Sequence, residues 1–139
     1  MKQEAKDLLL RDLCARLPYG VKLYANYVDG INTKEGKGRL SMIDNDMVVA
    51  FIDETENTYS FTYVALCEVK PYLFPMSSMT KEQIDEIYID SRVKADGYDI
   101  LDSLMNDIDA IDWLNANHFD YRGLIEKGLA LDATGLNIY

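Results

Sequence analysis

The apolar positions of the chain change period along its length. From Glu4 to Leu17 they recur every three to four residues: Leu9, Leu10, Leu13, Cys14 and Leu17 form one stripe, with Lys6, Asp7, Arg11 and Asp12 facing away. That spacing predicts an amphipathic helix. Pro18 cannot continue the helical ladder and Gly20 frees a turn, so the helix ends there. From Val21 the period falls to two. Val21, Leu23, Ala25 and Tyr27 alternate with Lys22, Tyr24, Asn26 and Val28 up to a turn at Asp29-Gly30, the pattern of a strand. Asn32 to Gly38, polar with two glycines, reads as a loop or a worn strand end. Arg39 to Ile43 reads as a second strand and Met47 to Ile52 as a strand buried on both faces. Asp53 to Thr58 is a polar turn, and Tyr59 to Leu66 is a fourth strand, rich in aromatic and β-branched residues.

Pro71 to Met76 is apolar and held extended by two prolines, so it is expected to lie along the sheet as a strap. Thr80 and Gln83 have the spacing of a capping box, which starts a helix to about Tyr88 with Ile84, Ile87 and Tyr88 inward. Ser91 to Tyr98 contains a turn at Asp96-Gly97. Leu101, Leu104, Met105, Ile108, Ile111 and Leu114 then make one helical line that stops at Asn115–His118. Asp120 is placed to cap a further helix with Tyr121, Leu124, Ile125 and Leu129 on its buried side, ended by Gly128. These two arms hold the only tryptophan and the only histidine of the chain. Trp113, Leu114, Phe119, Leu124 and Ile125 are expected to seal the helical half, with Tyr121 and Arg122 outward.

The fold class is therefore α+β. An N-terminal helix and a small antiparallel SH3-like or Sm-like half-open barrel occupy residues 1–75, and a helical region, residues 76–139, shares their core. Gly38-x-Leu40-x-x-x-Asp44-x-x-Met47 is similar to the first motif of the Sm family. There the methionine precedes an RNA-contacting asparagine; here Val48 follows, and the last strand lacks an Arg-Gly pair, so RNA binding is not implied.

Charge narrows the range of partners. Against 14 basic residues stand 24 acidic ones, a net charge of −10; residues 71–139 hold 5 of the basic and 13 of the acidic groups. Such a field repels nucleic acid and anionic membranes, and would steer a basic partner to the second half. Cys14 and Cys67 lie in apolar settings without a Cys-x-x-Cys pair, which predicts buried free thiols in a reducing compartment and no structural zinc. No run reaches the length of a membrane span, and acids interrupt the first residues where a signal peptide would be apolar, so a cytoplasmic location is expected.

The chemical candidates are few. The acidic run Asp96, Asp99, Asp102, Asp107, Asp109 and Asp112 lacks the glycine and glutamate of a calcium loop: counted from Asp107, those positions hold Asp112 and His118. It reads as a solvated helix face. His118 has no nucleophile motif beside it and reads as a helix terminator, where a cation or a donor suits the exposed carbonyls. A helix-turn-helix over Trp113–Leu131 would offer DNA only Arg122 and Lys127, next to Glu126. No catalytic, cofactor or metal-binding residue is assigned. The binding surface is expected at the barrel's open edge or at the C-terminal corner, where Trp113, Phe119, Tyr121 and Arg122 are the candidates for protein binding, being of the types enriched in binding hot spots. The expectation is a non-enzymatic protein that binds an unidentified protein partner, itself or another. The alternatives are an acidic mimic of DNA that inhibits a nucleic-acid enzyme and a metal-dependent hydrolase using the acidic run.

Three blocks carry a family resemblance: Leu13-Cys14-Ala15-Arg16-Leu17-Pro18-Tyr19-Gly20-Val21, the stretch from Val69 to Thr80, and the stretch from His118 to Leu131. Together they resemble an uncharacterised family of small proteins encoded in prophages and mobile elements of gut bacteria. Members continue after the last block with Glu-Ala-Pro, where this chain has Asp132-Ala133-Thr134. The resemblance implies a cytoplasmic, phage-associated setting and a single structural unit. It carries over no catalytic residue, because the family has no established activity.

Overall fold

The computed structural model describes residues 1–53, 61–91 and 108–139. Helix α1 (Gln3–Arg16) buries Leu9, Asp12, Leu13 and Arg16, a stripe at i, i+3, i+4 and i+7. This corrects the expected stripe. Asp12 turns inward and Cys14 is exposed, as is Cys67, so neither thiol is buried. An ion pair across one helical turn compensates the buried carboxylate and shifts the face. A short 3-10 turn (Leu17–Tyr19) with Pro18 inside it ends the helix, and Gly20 follows at φ 67.

Six strands form one sheet: β1 (Lys22–Asp29), β2 (Asn32–Ile43), β3 (Val48–Asp53), β4 (Phe61–Ala65), β5 (Val69–Leu73) and β6 (Leu131–Asp132). Their order is β4-β3-β2-β1-β5-β6, antiparallel except for the β5–β6 pair. The stretch Asn32–Gly38 is a strand along its whole length, with Lys34 opposite Tyr27 and Gly36 opposite Ala25. A bulge between Leu40 and Met42 bends β2. The sheet is open: β4 and β6 are its edges, and no ladder closes it into the expected barrel among the described residues.

Val69–Leu73 is a strand inside the sheet, so the first half of the expected strap is β5 instead. Pro71 is tolerated there for a reason the register supplies. The bond from Leu40 N to Val21 O assigns the odd residues of β1 to β2, so even Tyr24 bonds Lys70 and the Leu23–Pro71 pair needs no N–H.

One face of the sheet covers α1. Leu9 and Leu13 meet Leu23, Ala25, Leu40, Val49, Phe51, Val64, Val69 and Leu73, and Leu124, Leu129 and Ala130 from the end of the chain join the same core. A second cluster, Ile87, Ala110, Leu114 and Phe119, sits between α2 (Lys81–Ser91) and α3 (Ile108–Ala116), with Phe74, Met76, Met79, Trp113 and Tyr121 packed on it. The capping box forms: Thr80 N donates to Gln83 Oε1 (2.8 Å) and Gln83 N to Thr80 Oγ1 (3.2 Å).

The second helical arm does not form. Gly123 (φ 75) and Gly128 (φ 72) are left-handed, and the Asp120 carboxylate accepts from Leu124 N (2.8 Å) and Ile125 N (2.9 Å), replacing helical carbonyls with a string of turns. The expected turn at Asp96-Gly97, the acids Asp96, Asp99, Asp102 and Asp107, most of the Asp53–Thr58 turn and the apolar positions 100–107 lie outside the described residues. Among the described residues no helix is long and apolar enough to cross a membrane.

Candidate functional site

The corner after α3 is built by a helix-ending motif. Phe119 N donates to Leu114 O (2.9 Å) and His118 N to Asn115 O (3.2 Å), with His118 at φ 65 in the left-handed position that glycine usually fills. This turns Phe119 into the interior at 3% exposure, and Trp113 stacks on it (5.7 Å, 13°). The corner is stitched to the end of β5: Phe74 N donates to His118 O and Asp120 N to Phe74 O, both 2.8 Å.

A buried charge network fastens the corner to α1. Asp12 Oδ2 accepts from Arg16 Nε (2.8 Å) and Oδ1 from Arg122 Nη1 (3.1 Å), while Arg16 Nη2 donates to Phe119 O (2.6 Å). The side chains of Asp12 and Arg16 are fully buried. The Tyr121 ring meets both guanidiniums, at 5.4 Å from Arg16 and 4.7 Å from Arg122, and its hydroxyl donates to Asn115 Oδ1 (2.9 Å). Of the four residues expected to bind protein, Phe119 is therefore core. Trp113, Tyr121 and Arg122 are half-buried, and all three contact other residues of the chain. Tyr121 and Arg122 do not project outward as expected.

His118 lies beside this network, stacked on Tyr139 (3.7 Å, 15°). The Tyr139 hydroxyl donates to Tyr72 O (2.7 Å) and accepts from Lys22 N (2.8 Å), bridging β5 and β1 where their ladder ends. Burial pushes that hydroxyl well above the ordinary tyrosine range. Burial, with the charges of Arg16 and Lys22, lowers His118 from 6.5 to about 4, so the helix is terminated by a neutral imidazole rather than a cation. Its Nδ1 is enclosed without a hydrogen-bond partner. A cleft of about 490 Å³ opens beside it, lined by Phe74, Ser78, Thr80, Gln83, Asn117 and Tyr139 among others, with no nucleophilic thiol and no carboxylate in its wall. Among the described residues no group of three His, Cys, Asp or Glu side chains could hold a metal ion, and Asp109 and Asp112 are exposed on α3.

A further exposed feature is the β4 edge of the open sheet. Phe61 is 50% and Tyr63 60% exposed on the face turned away from α1, while Val64 between them and Ala65 is core. The strand Phe61-Thr62-Tyr63-Val64-Ala65 carries no charge and no proline. Period-two alternation within Tyr59–Leu66 puts Phe61, Tyr63 and Ala65 on one face, and Val64 on the other. Comparison with family models, curated proteins and solved structures gave no match.

Proposed function

We propose that the chain is a non-enzymatic accessory protein of a phage or mobile element that acts by binding another protein, and that the β4 edge is its contact surface. The observation that carries the reading is the uncharged edge strand with Phe61 and Tyr63 exposed beside each other on one face. Edges of soluble proteins are ordinarily blunted by charge, proline or a covering element, and aromatic side chains are enriched where proteins bind. The alternative surface, the corner of Trp113, Phe119, Tyr121 and Arg122, has less to offer because its polar groups and rings are engaged within the chain.

A small SH3-like or Sm-like barrel is supported by the run β4-β3-β2-β1-β5, by the bulge in β2 and by the 3-10 turn Leu66–Glu68 that carries the chain from β4 across to β5. A cytoplasmic, phage-associated setting is supported by the family resemblance and by the two free thiols.

Affinity capture from a bacterial lysate tests the reading. The wild-type chain should retain a protein at ~1 M salt, where the screening length is only about 3 Å, and the Phe61→Asp/Tyr63→Asp variant should lose it. A partner released by salt and indifferent to the double variant would refute the edge and favour the acidic mimic of DNA.

A further inference from the structure

Strands β1 and β4 are separated by two others, yet Asn26, Tyr27 and Val28 line the same cleft as Tyr63, Val64 and Ala65, with Thr33 and Glu68, in a volume of about 450 Å³. The sheet therefore curls until two of its strands nearly face one another. Backbone parity says what they present. Leu66 N donates to Met47 O, so Leu66, Val64 and Thr62 turn their peptide groups toward β3, and Phe61, Tyr63 and Ala65 turn theirs away from it. On β1 the odd residues bond β2, so Asn26 and Val28 face the other way, beyond Ala25, where pairing with β5 stops. The cleft is thus a seam between two strand edges left unpaired among the described residues.

We infer that this seam accepts an extended segment of the partner protein as an added strand, hydrogen-bonded to both walls. The inference rests on the protein-binding reading above and gives it a mode. Because β1 and β4 run in opposite directions, the inserted strand is antiparallel to one wall and parallel to the other. The walls are about three residues long, so the segment needs about four residues at roughly 3.3 Å each. Its side chains meet Tyr63 and Val28, 60% and 71% exposed, on one side, and Tyr27 and Val64 on the other, so both faces are apolar. Glu68 is the charged residue in the lining and is exposed, so the segment carries a lysine or arginine at that end. Main-chain bonds supply affinity and the alternating pockets supply selectivity, as in other strand additions.

Ala65→Pro isolates the main-chain contribution. Ala65 has φ −68 and ψ 149, which proline adopts without strain, and its N–H points into the seam rather than to β3. The variant removes that donor and leaves Phe61, Tyr63 and the Leu66–Met47 bond in place. The probe is a phage-displayed library of random short peptides selected on the full wild-type chain. Peptides with an uninterrupted apolar run of about four residues and a basic end should be enriched and should bind Ala65→Pro about tenfold more weakly, the size of one well-made hydrogen bond.

Equal binding to wild type and Ala65→Pro, with loss on Phe61→Asp/Tyr63→Asp, would overturn strand insertion while leaving the aromatic edge as the contact. Failure to enrich any peptide over the Ala65→Pro background would overturn the seam as a peptide site. A wild-type chain that sediments as a dimer, with a monomeric Ala65→Pro, would overturn the partner segment in favour of a second copy.

Discussion

Removing the Asp12 carboxylate should be among the most damaging single changes to this chain. In Asp12→Ala, Arg16 keeps its hydrogen bond to Phe119 O but loses its counter-charge at 2.8 Å, and Arg122 loses its partner at 3.1 Å. Arg122, at 19% side-chain exposure, can turn toward water; Arg16, fully buried, cannot. Leaving one buried ion without its partner costs about 3–5 kcal/mol, most of it the desolvation of the remaining charge. At roughly 2–4 °C per kcal/mol for a chain of this size, the melting temperature should fall by about 10 °C. Circular dichroism melts and urea titration of the wild type, Asp12→Ala and the neutral double variant Asp12→Leu/Arg16→Met measure it. The double variant should recover about half the loss, because it removes the orphaned ion but still strands the Phe119 carbonyl. An Asp12→Ala within about 1 kcal/mol of wild type, or a double variant no better than the single, would refute the network as the fastening between α1 and the corner.

Trp113→Ala removes a ring stacked on Phe119 in the second core cluster and should cost about 3 kcal/mol by urea titration; an unchanged melting temperature would place the ring at the surface in solution. Asp120→Ala deletes the acceptor of two backbone N–H groups and should cost about 1–2 kcal/mol, with faster amide exchange confined to Leu124 and Ile125. His118 should make stability depend on pH. Its folded value of about 4 lies below the ordinary 6.5, so the unfolded chain binds the extra proton first. Its contribution is complete above pH 6.5 and is lost as pH falls toward 4. The span is worth at most about 3 kcal/mol, and about 2 once screening at the cleft is counted. A His118→Gln variant subtracts the carboxylates that titrate nearby, and an equal acid slope in that variant would remove the assignment.

Local chemistry was legible and distant partnership was not. Thr80 and Gln83 could be paired by eye because both halves of a capping box lie three residues apart. The alternation through β1 was equally open to reading, since a half-buried strand writes its period into adjacent residues. Asp12 could not be read, because one of its partners, Arg122, lies 110 positions away and a charged residue within an apolar stripe looks like its polar edge. The same limit hid β6, a two-residue strand recognised only by its pairing with Tyr72 and Leu73. For Tyr121–Leu129 the apolar spacing pointed to a helix, but two left-handed glycines and the Asp120 carboxylate outweigh it. The corner attracted attention because rare residue types gather there. Those residues are engaged in holding the chain together, and the most exposed aromatic side chains among the described residues, Phe61 and Tyr63, lie at an edge composed of ordinary strand residues.

Amide hydrogen exchange on the captured complex tests the binding account most directly. On binding, the N–H groups of Phe61, Tyr63 and Ala65 should slow together with those of Asn26 and Val28, because these point away from the neighbouring strands. Exchange across Trp113–Arg122 should stay as in the free protein. Slowing confined to Trp113–Arg122, with β4 unchanged, would contradict the account and move the contact to the corner.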